Sequence, residues 1–212
     1  KKVYSKSDSA PPDDAIVLFD GTDLSKWKAK WSDKESGWEI NDDGSVTVVF
    51  DGSGGIETLE NFGSVQLHLE WKTSEDTSHK NQSRSNSGVF LQGRYEIQIL
   101  DSYKSPTYVN GQAGSVYKQY IPLVNASRKP GEWQSYDIIF DAPMFNSDGK
   151  KIKSGYFTVF HNGVLIQNNS QIQGYVKFIG YPEYKVHASK LPIKLQDHSN
   201  LVSFRNIWIR NL

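Results

Sequence analysis

The sequence predicts an all-β chain folded as a two-sheet antiparallel β-sandwich, a jelly roll. Three observations carry that expectation. Strand-sized apolar or alternating runs recur from end to end, clusters of turn-forming residues separate them, and no segment sustains apolar spacing at i, i+3, i+4 and i+7 over three turns. Antiparallel strands this numerous must cover their greasy faces, which favours a second sheet packed on the first over an open meander.

Taken in order, residues 1–14 (KKVYSKSDSAPPDD) read as a polar linker left by removal of a targeting segment or lipid anchor, and residues 15–212 read as one domain. Ile16 to Phe19 is the first strand, and a short helix is expected from Leu24 to Trp27. Asp42-Asp43-Gly44 turns the chain into Ser45 to Phe50, Asp51-Gly52 turns it again, and Ser64 to Lys72 alternates over a long strand. Thr73 to Ser87 (TSEDTSHKNQSRSNS) is polar enough for a loop at the rim of a cleft. Gly88 to Leu91 and Tyr95 to Leu100 form a pair with a two-residue turn at Gly93-Arg94. Lys129-Pro130-Gly131 precedes the strand Gln134 to Phe140, and Asp148-Gly149 precedes Gly155 to His161. Asn162-Gly163 between YFTVFH and VLIQ is the strongest hairpin signal, because both central residues of that turn type need positive φ. Ile193 to Leu195 and Val202 to Ile209 complete the set.

Composition narrows the function. Lys plus Arg and Asp plus Glu are both 24, so the basic footprint of a nucleic-acid binder is missing and DNA and RNA are discarded as partners. The absence of cysteine excludes a disulfide framework, a thiolate zinc site and a cysteine nucleophile. No apolar run approaches the roughly 20 residues that span a bilayer. Aromatic residues make up 13%, enough for both a core and a stacking platform for sugar rings. Trp71, Trp133 and Trp208 sit in strand patterns and are assigned to packing, whereas Tyr103, Tyr117 and Tyr120 flank polar segments and are assigned to the sugar side.

The most informative stretch is Asn86 to Tyr103, NSGVFLQGRYEIQILDSY. Side chains alternate on a strand, so Glu96 and Gln98 share one face and Ile97 and Ile99 the other. Asp101 has the wrong parity to join Glu96 unless a bulge or strand end re-aims it. In PIKLQDH the same rule puts Lys194, Gln196 and His198 on one face. If that strand lies in the sheet of Glu96 and Gln98, the two rows line one cleft with carboxylate, amides, cation and imidazole.

Five ordered segments carry a family resemblance: LFDGTDLSKWK, NSGVFLQGRYEIQILDSY, YKQYIPLVNASRKPGEWQSYDIIFDAPMF, TVFHNGVLI and PIKLQDHSNLVSFRNIWIR. Together they resemble the 3-keto-disaccharide hydrolases, also called 3-keto-glucoside 1,2-lyases, over nearly the whole chain after residue 15. The resemblance implies a sandwich of the concanavalin A-like lectin/glucanase type. It also implies export to the periplasm or outer membrane of a bacterium and a small glycoside substrate whose C3 hydroxyl has been oxidised to a ketone. Such a ketone acidifies the C2 hydrogen, so a base can remove it, the enolate can expel the C1 aglycone, and water can add to the resulting glucal. The base candidates are Glu96 and His198, with His187 behind them. Arg94 and Lys194 are the candidates for stabilising the enolate oxygen. Gln98, Gln196, Asp101, Arg128 and Tyr103 complete the expected substrate contacts. The cofactor stays unassigned, since a divalent ion held by loop oxygens leaves little trace in a sequence. Two rival readings remain. One is a retaining glycosidase using Glu96 and Asp101, which lie about 16 Å apart along an unbulged strand when about 5–5.5 Å is needed. The other is a carbohydrate-binding module without chemistry.

Overall fold

The computed structural model describes residues 2–5, 10–30, 32, 34–50 and 52–212. Its strands are β1 (Ile16–Phe19), β2 (Trp27–Ala29), β3 (Glu39–Ile40), β4 (Val46–Thr47), β5 (Gly55–Thr58), β6 (Val65–Thr73), β7 (Ser87–Leu91), β8 (Tyr95–Ile99), β9 (Gln134–Asp141), β10 (Met144–Phe145), β11 (Lys151–Lys153), β12 (Tyr156–His161), β13 (Val164–Gln171), β14 (Lys194–Gln196) and β15 (Val202–Asn211). The larger sheet runs β13-β12-β9-β6-β15-β4-β3, with β1 also on β15, and the smaller runs β2-β5-β14-β7-β8. Every pairing between them is antiparallel. The β10-β11 hairpin stands apart.

The alternation read from the sequence is what closes the sandwich. On β6, Val65, Leu67, Leu69, Trp71 and Thr73 are buried while Gln66, His68, Glu70 and Lys72 stay partly exposed on the other face. Each large apolar side chain removed from water contributes about 1.5–3 kcal/mol, and the two sheets contribute to one shared core. Tyr95 of β8 meets Phe140 of β9 with ring centroids 5.8 Å apart, and the Tyr136 hydroxyl on β9 donates to the Gln98 carbonyl on β8 at 2.8 Å. Strands β7 and β8 are buried on both faces. Their inner face packs on the larger sheet, and loops cover much of the outer one.

The Asn162-Gly163 hairpin forms with φ of 53° and 78°, as its sequence dictates. Other features differ from expectation. Leu24 to Trp27 makes one turn, Trp27 N–H to Leu24 O at 2.8 Å, before Trp27 opens β2, because its indole is drawn inward to donate to the Leu18 carbonyl at 2.9 Å. The β7–β8 turn has three residues where two were expected: Leu91 pairs with Tyr95, and between them Gln92 and Gly93 take φ of 53° and 62°. The buried Gln92 amide is held there by the Ser189 carbonyl at 2.8 Å. Of the expected Asp51-Gly52 turn, Asp51 lies outside the described residues. At the end of the expected linker, Asp14 pairs with Arg210 of β15 at 2.7 Å.

Strand β5 escaped the sequence reading because GIET is short and opens on glycine. That glycine is required: Gly55 has φ of +123°, and a Cβ there would strike the Leu195 carbonyl oxygen of β14, the strand that carries Lys194 and Gln196. Gly55→Ala is therefore expected to cost at least the strain of a disfavoured backbone region, about 1–3 kcal/mol. Urea denaturation checks this, and a variant as stable as the parent contradicts it.

Candidate functional site

The pairing register builds the site. Lys194 on β14 lies opposite Phe90 on β7, and Phe90 lies opposite Glu96 on β8, so the three form one row across the outer face of the smaller sheet. In the next row, Gln98 lies opposite Gly88. Gly88 gives the Glu96 carboxylate its room, since a methyl group there would strike both that carboxylate and the Phe90 ring. This face floors a cleft of about 590 Å³, into which Glu96, Gln98, Lys194, Gln196 and His198 all project. The two polar rows expected from strand parity do meet.

Two walls rise from this floor. The segment from Gly114 to Tyr117 runs along the free edge of β8, with Gln98 N–H to Ser115 O at 3.0 Å and Tyr117 N–H to Glu96 O at 3.2 Å. It presents Tyr117, whose hydroxyl lies 2.6 Å from that of Tyr108. Val176 and Phe178 extend this aromatic wall from the loop that follows β13. The other end of the cleft is polar. Asn86 Oδ1 accepts from Gln98 Nε2 at 2.9 Å, its Nδ2 donates to the Gln82 carbonyl at 2.7 Å, and its backbone N–H donates to Asn200 Oδ1 at 2.9 Å. Among the described residues, the side-chain carbonyl oxygens of Gln82 and Gln196, both residues of the cleft lining, are buried without a hydrogen-bond partner.

Electrostatics single out the floor. Glu96 is 5% exposed, and among the described residues no side chain or backbone donor hydrogen-bonds its carboxylate. Burial pushes its pKa up to about 8, with Lys194 opposing that rise only in part. Lys194 is 7% exposed, with its Nζ 3.5 Å from the Phe90 centroid. Burial brings its pKa down to about 8, the neighbouring Lys30 ammonium adds to that, and Glu96 acts against it. Desolvation also raises the Tyr117 hydroxyl above its ordinary range, helped by its bond to Tyr108. A carboxyl group poised between forms and a cation one row position beyond a flat ring suit proton abstraction and oxyanion stabilisation.

The remaining candidates are placed elsewhere. Asp101 lies past the end of β8, where its carboxylate holds Arg84 Nε at 2.9 Å, also meets Arg84 Nη2, and accepts from the Tyr103 amide at 3.1 Å. Tyr103 sits beyond that turn under Lys104, outside the cleft lining. Arg94 stacks on the Tyr175 ring at 4.7 Å from its position in the β7–β8 turn. His187 has its Nε2 2.8 Å from the Tyr95 hydroxyl and its Nδ1 2.7 Å from the Ala188 carbonyl, and burial lowers its pKa. Tyr95 points to the core, so this pair fastens the 174–190 loop to the scaffold. Arg128 donates to the Trp133 carbonyl at 2.8 Å and pins its own loop. Tyr120 packs on the core, while Trp71 is buried and Trp208 stacks on His68, as expected of packing residues.

Sequence reasoning missed Phe90, Gln82, Tyr108, Val176 and Phe178. Phe90 was hidden by the turn: the expected Gly93-Arg94 turn sets Leu91 opposite Glu96, whereas the observed pairing sets Phe90 there. The loop residues carry no periodicity that marks them. Among the described residues no three His, Cys, Asp or Glu side chains gather as a metal site. Of the cleft lining, Glu96 supplies the carboxylate and His198 the imidazole that a cation would meet, while the amide oxygens of Gln82 and Gln196 are buried.

A family model described as a 3-keto-alpha-glucoside-1,2-lyase-like domain matches residues 14–210. No functionally curated protein matches the chain. Among solved structures, a protein of Parabacteroides distasonis provisionally described as a glycosyl hydrolase is 47% identical, covers 100% of this chain and 90% of its own, and superposes with a TM-score of 0.92. A second protein from that organism, described in the same way, is 21% identical with a TM-score of 0.68, covering 94% of each chain. A third is 22% identical with a TM-score of 0.63, covering 93% of this chain and 99% of its own.

The shifted pair makes stability depend on pH. Glu96 is raised on folding, so the folded state holds the extra proton from about pH 4.5 to about 8, and stability falls across that window. Lys194 is lowered, so the unfolded state holds the extra proton from about pH 8 to 10.5, and stability rises again. Glu96→Gln is expected to flatten the falling limb and Lys194→Met the rising one in denaturation series across pH. An unchanged profile in either variant contradicts the corresponding assignment.

Proposed function

Because this chain belongs to the 3-keto-alpha-glucoside-1,2-lyase-like family, we propose that it cleaves 3-keto-glucosides by elimination across C1 and C2, followed by hydration of the glucal. The observation that supports this most is the row Lys194–Phe90–Glu96. A desolvated carboxylate is a strong base, and Glu96 removes the C2 proton in its ionised form. The Lys194 ammonium, held over the Phe90 ring in the middle of the row, faces the C3 oxygen on which the enolate charge develops. The ring of Phe90 holds that ammonium in place, and Gln98 and Gln196 read the hydroxyls of the sugar. The C1–O bond then breaks, and the electron pair leaves with the aglycone. His198, exposed at the polar end of the cleft, handles the protons when water adds to the glucal.

Ordinary two-carboxylate hydrolysis has less support. Among the described residues lining the cleft, Glu96 is the one carboxylate, and Asp101 is committed to Arg84. A carbohydrate-binding module needs the amides and rings but no buried carboxyl group, whose desolvation opposes folding above its unfolded pKa.

The test follows aglycone and glucal by NMR with a 3-keto-glucoside and its unoxidised parent, with and without chelator. Release from the keto compound alone is expected, and Glu96→Gln is expected to lose turnover by about 100-fold or more while still binding. Release from the parent sinks the elimination reading, and binding without release from either points to a binding module. His198→Asn is expected to keep aglycone release within a few-fold of the parent protein while the glucal accumulates. Equal slowing of both steps removes His198 from the hydration role.

A further inference from the structure

Resting on that reading, we propose that the wall formed by Tyr108, Tyr117, Lys118 and Phe178 is the leaving-group subsite, and that it takes a planar aromatic, phenolic aglycone. The direction of the cleft carries the first half. Carbons C3, C2 and C1 are consecutive in the sugar. With the C3 oxygen at Lys194 and the C2 hydrogen at Glu96, C1 lies onward from Glu96, away from Lys194. What lies onward is the free edge of β8, where the Tyr117 amide bonds the Glu96 carbonyl at 3.2 Å. The aglycone therefore leaves against the aromatic wall and away from the amide end.

The chemistry of the wall carries the second half. Lys118 Nζ lies 3.7 Å from the Tyr108 centroid and 4.9 Å from that of Phe178, so one cation joins both rings. No carboxylate among the described residues pairs with this cation. The two rings it joins line the cleft, and a phenolate that takes the electron pair when C1–O breaks delocalises that charge into a ring able to stack beside Tyr108. Phe178 is 67% exposed, yet its loop is fixed at the base: Tyr175 N–H bonds Glu183 O at 3.0 Å, Val176 N–H bonds Arg94 O at 3.1 Å, and Gln119 Nε2 donates to Gly174 O at 3.0 Å. The ring is held out to solvent beside the cleft, as a stacking surface must be before its ligand arrives.

Binding separates this inference from the reading beneath it, because it needs no turnover. Calorimetric titration of the protein and of Glu96→Gln with phenyl glucoside and methyl glucoside is expected to show tighter binding of the phenyl compound, by about tenfold. Phe178→Ala and Lys118→Met are each expected to remove most of that difference while changing methyl glucoside affinity less than about twofold. Equal affinity for the two glucosides, binding of neither, or a preference that survives both substitutions overturns the subsite. Lack of cleavage of any 3-keto-glucoside with the preference intact counts against the elimination and leaves the aromatic wall standing.

Discussion

The site depends on one constraint: the Glu96 carboxylate is buried on the outer face of a sheet, in the space left by Gly88 one row away, with no donor among the described residues to satisfy it. Burying an ionised carboxylate without hydrogen bonds is costly, so the proton is retained well above the usual range. Folding tolerates this group because the core on the other face of the sheet carries the stability. Ile97 and Ile99, between and beside the two polar residues, are fully buried against the larger sheet. The strand that supplies Glu96 is thus also one of the strands that close the sandwich.

Register then converts a reactive group into a directed one. Antiparallel pairing puts Lys194, Phe90 and Glu96 side by side, with the Lys194 ammonium lying over the Phe90 ring. Neighbouring strands lie about 4.7–4.9 Å apart, so the row spans the width of a sugar ring. A slip of one residue on β14 would turn Lys194 inward and Leu195 outward. Gly55 pairs with Gln196, and β14 passes too close to it for any side chain. Loops anchored on these strands add the walls, and rigid attachments such as Tyr95 to His187 fix them without joining the chemistry.

The fold and the floor of the site were legible in the sequence because both follow from period-two alternation. That rule placed Glu96 with Gln98 and Lys194 with Gln196 and His198, and it placed Asp101 out of line, where the structure finds it held by Arg84. It failed where geometry comes from the turns. Arg94 and His187 have chemistry suited to the site, but a turn and a loop carry them to the Tyr175 ring and the core-facing Tyr95 hydroxyl. Tyr108 and Phe178 reach the cleft from segments distant in sequence and without regular structure, so no local pattern announces them. The short strand β5 was hidden by the glycine that makes its close approach to β14 feasible.

The fate of the hydrogen at C2 tests the central claim most directly. With a 3-keto-glucoside deuterated at C2, corrected for spontaneous exchange, abstraction by Glu96 predicts that the label is lost to water in both the glucal and the hydrated product. Products that keep the deuterium at C2 would show that the C1 bond breaks without proton removal, and the account built on Glu96 as base would be wrong.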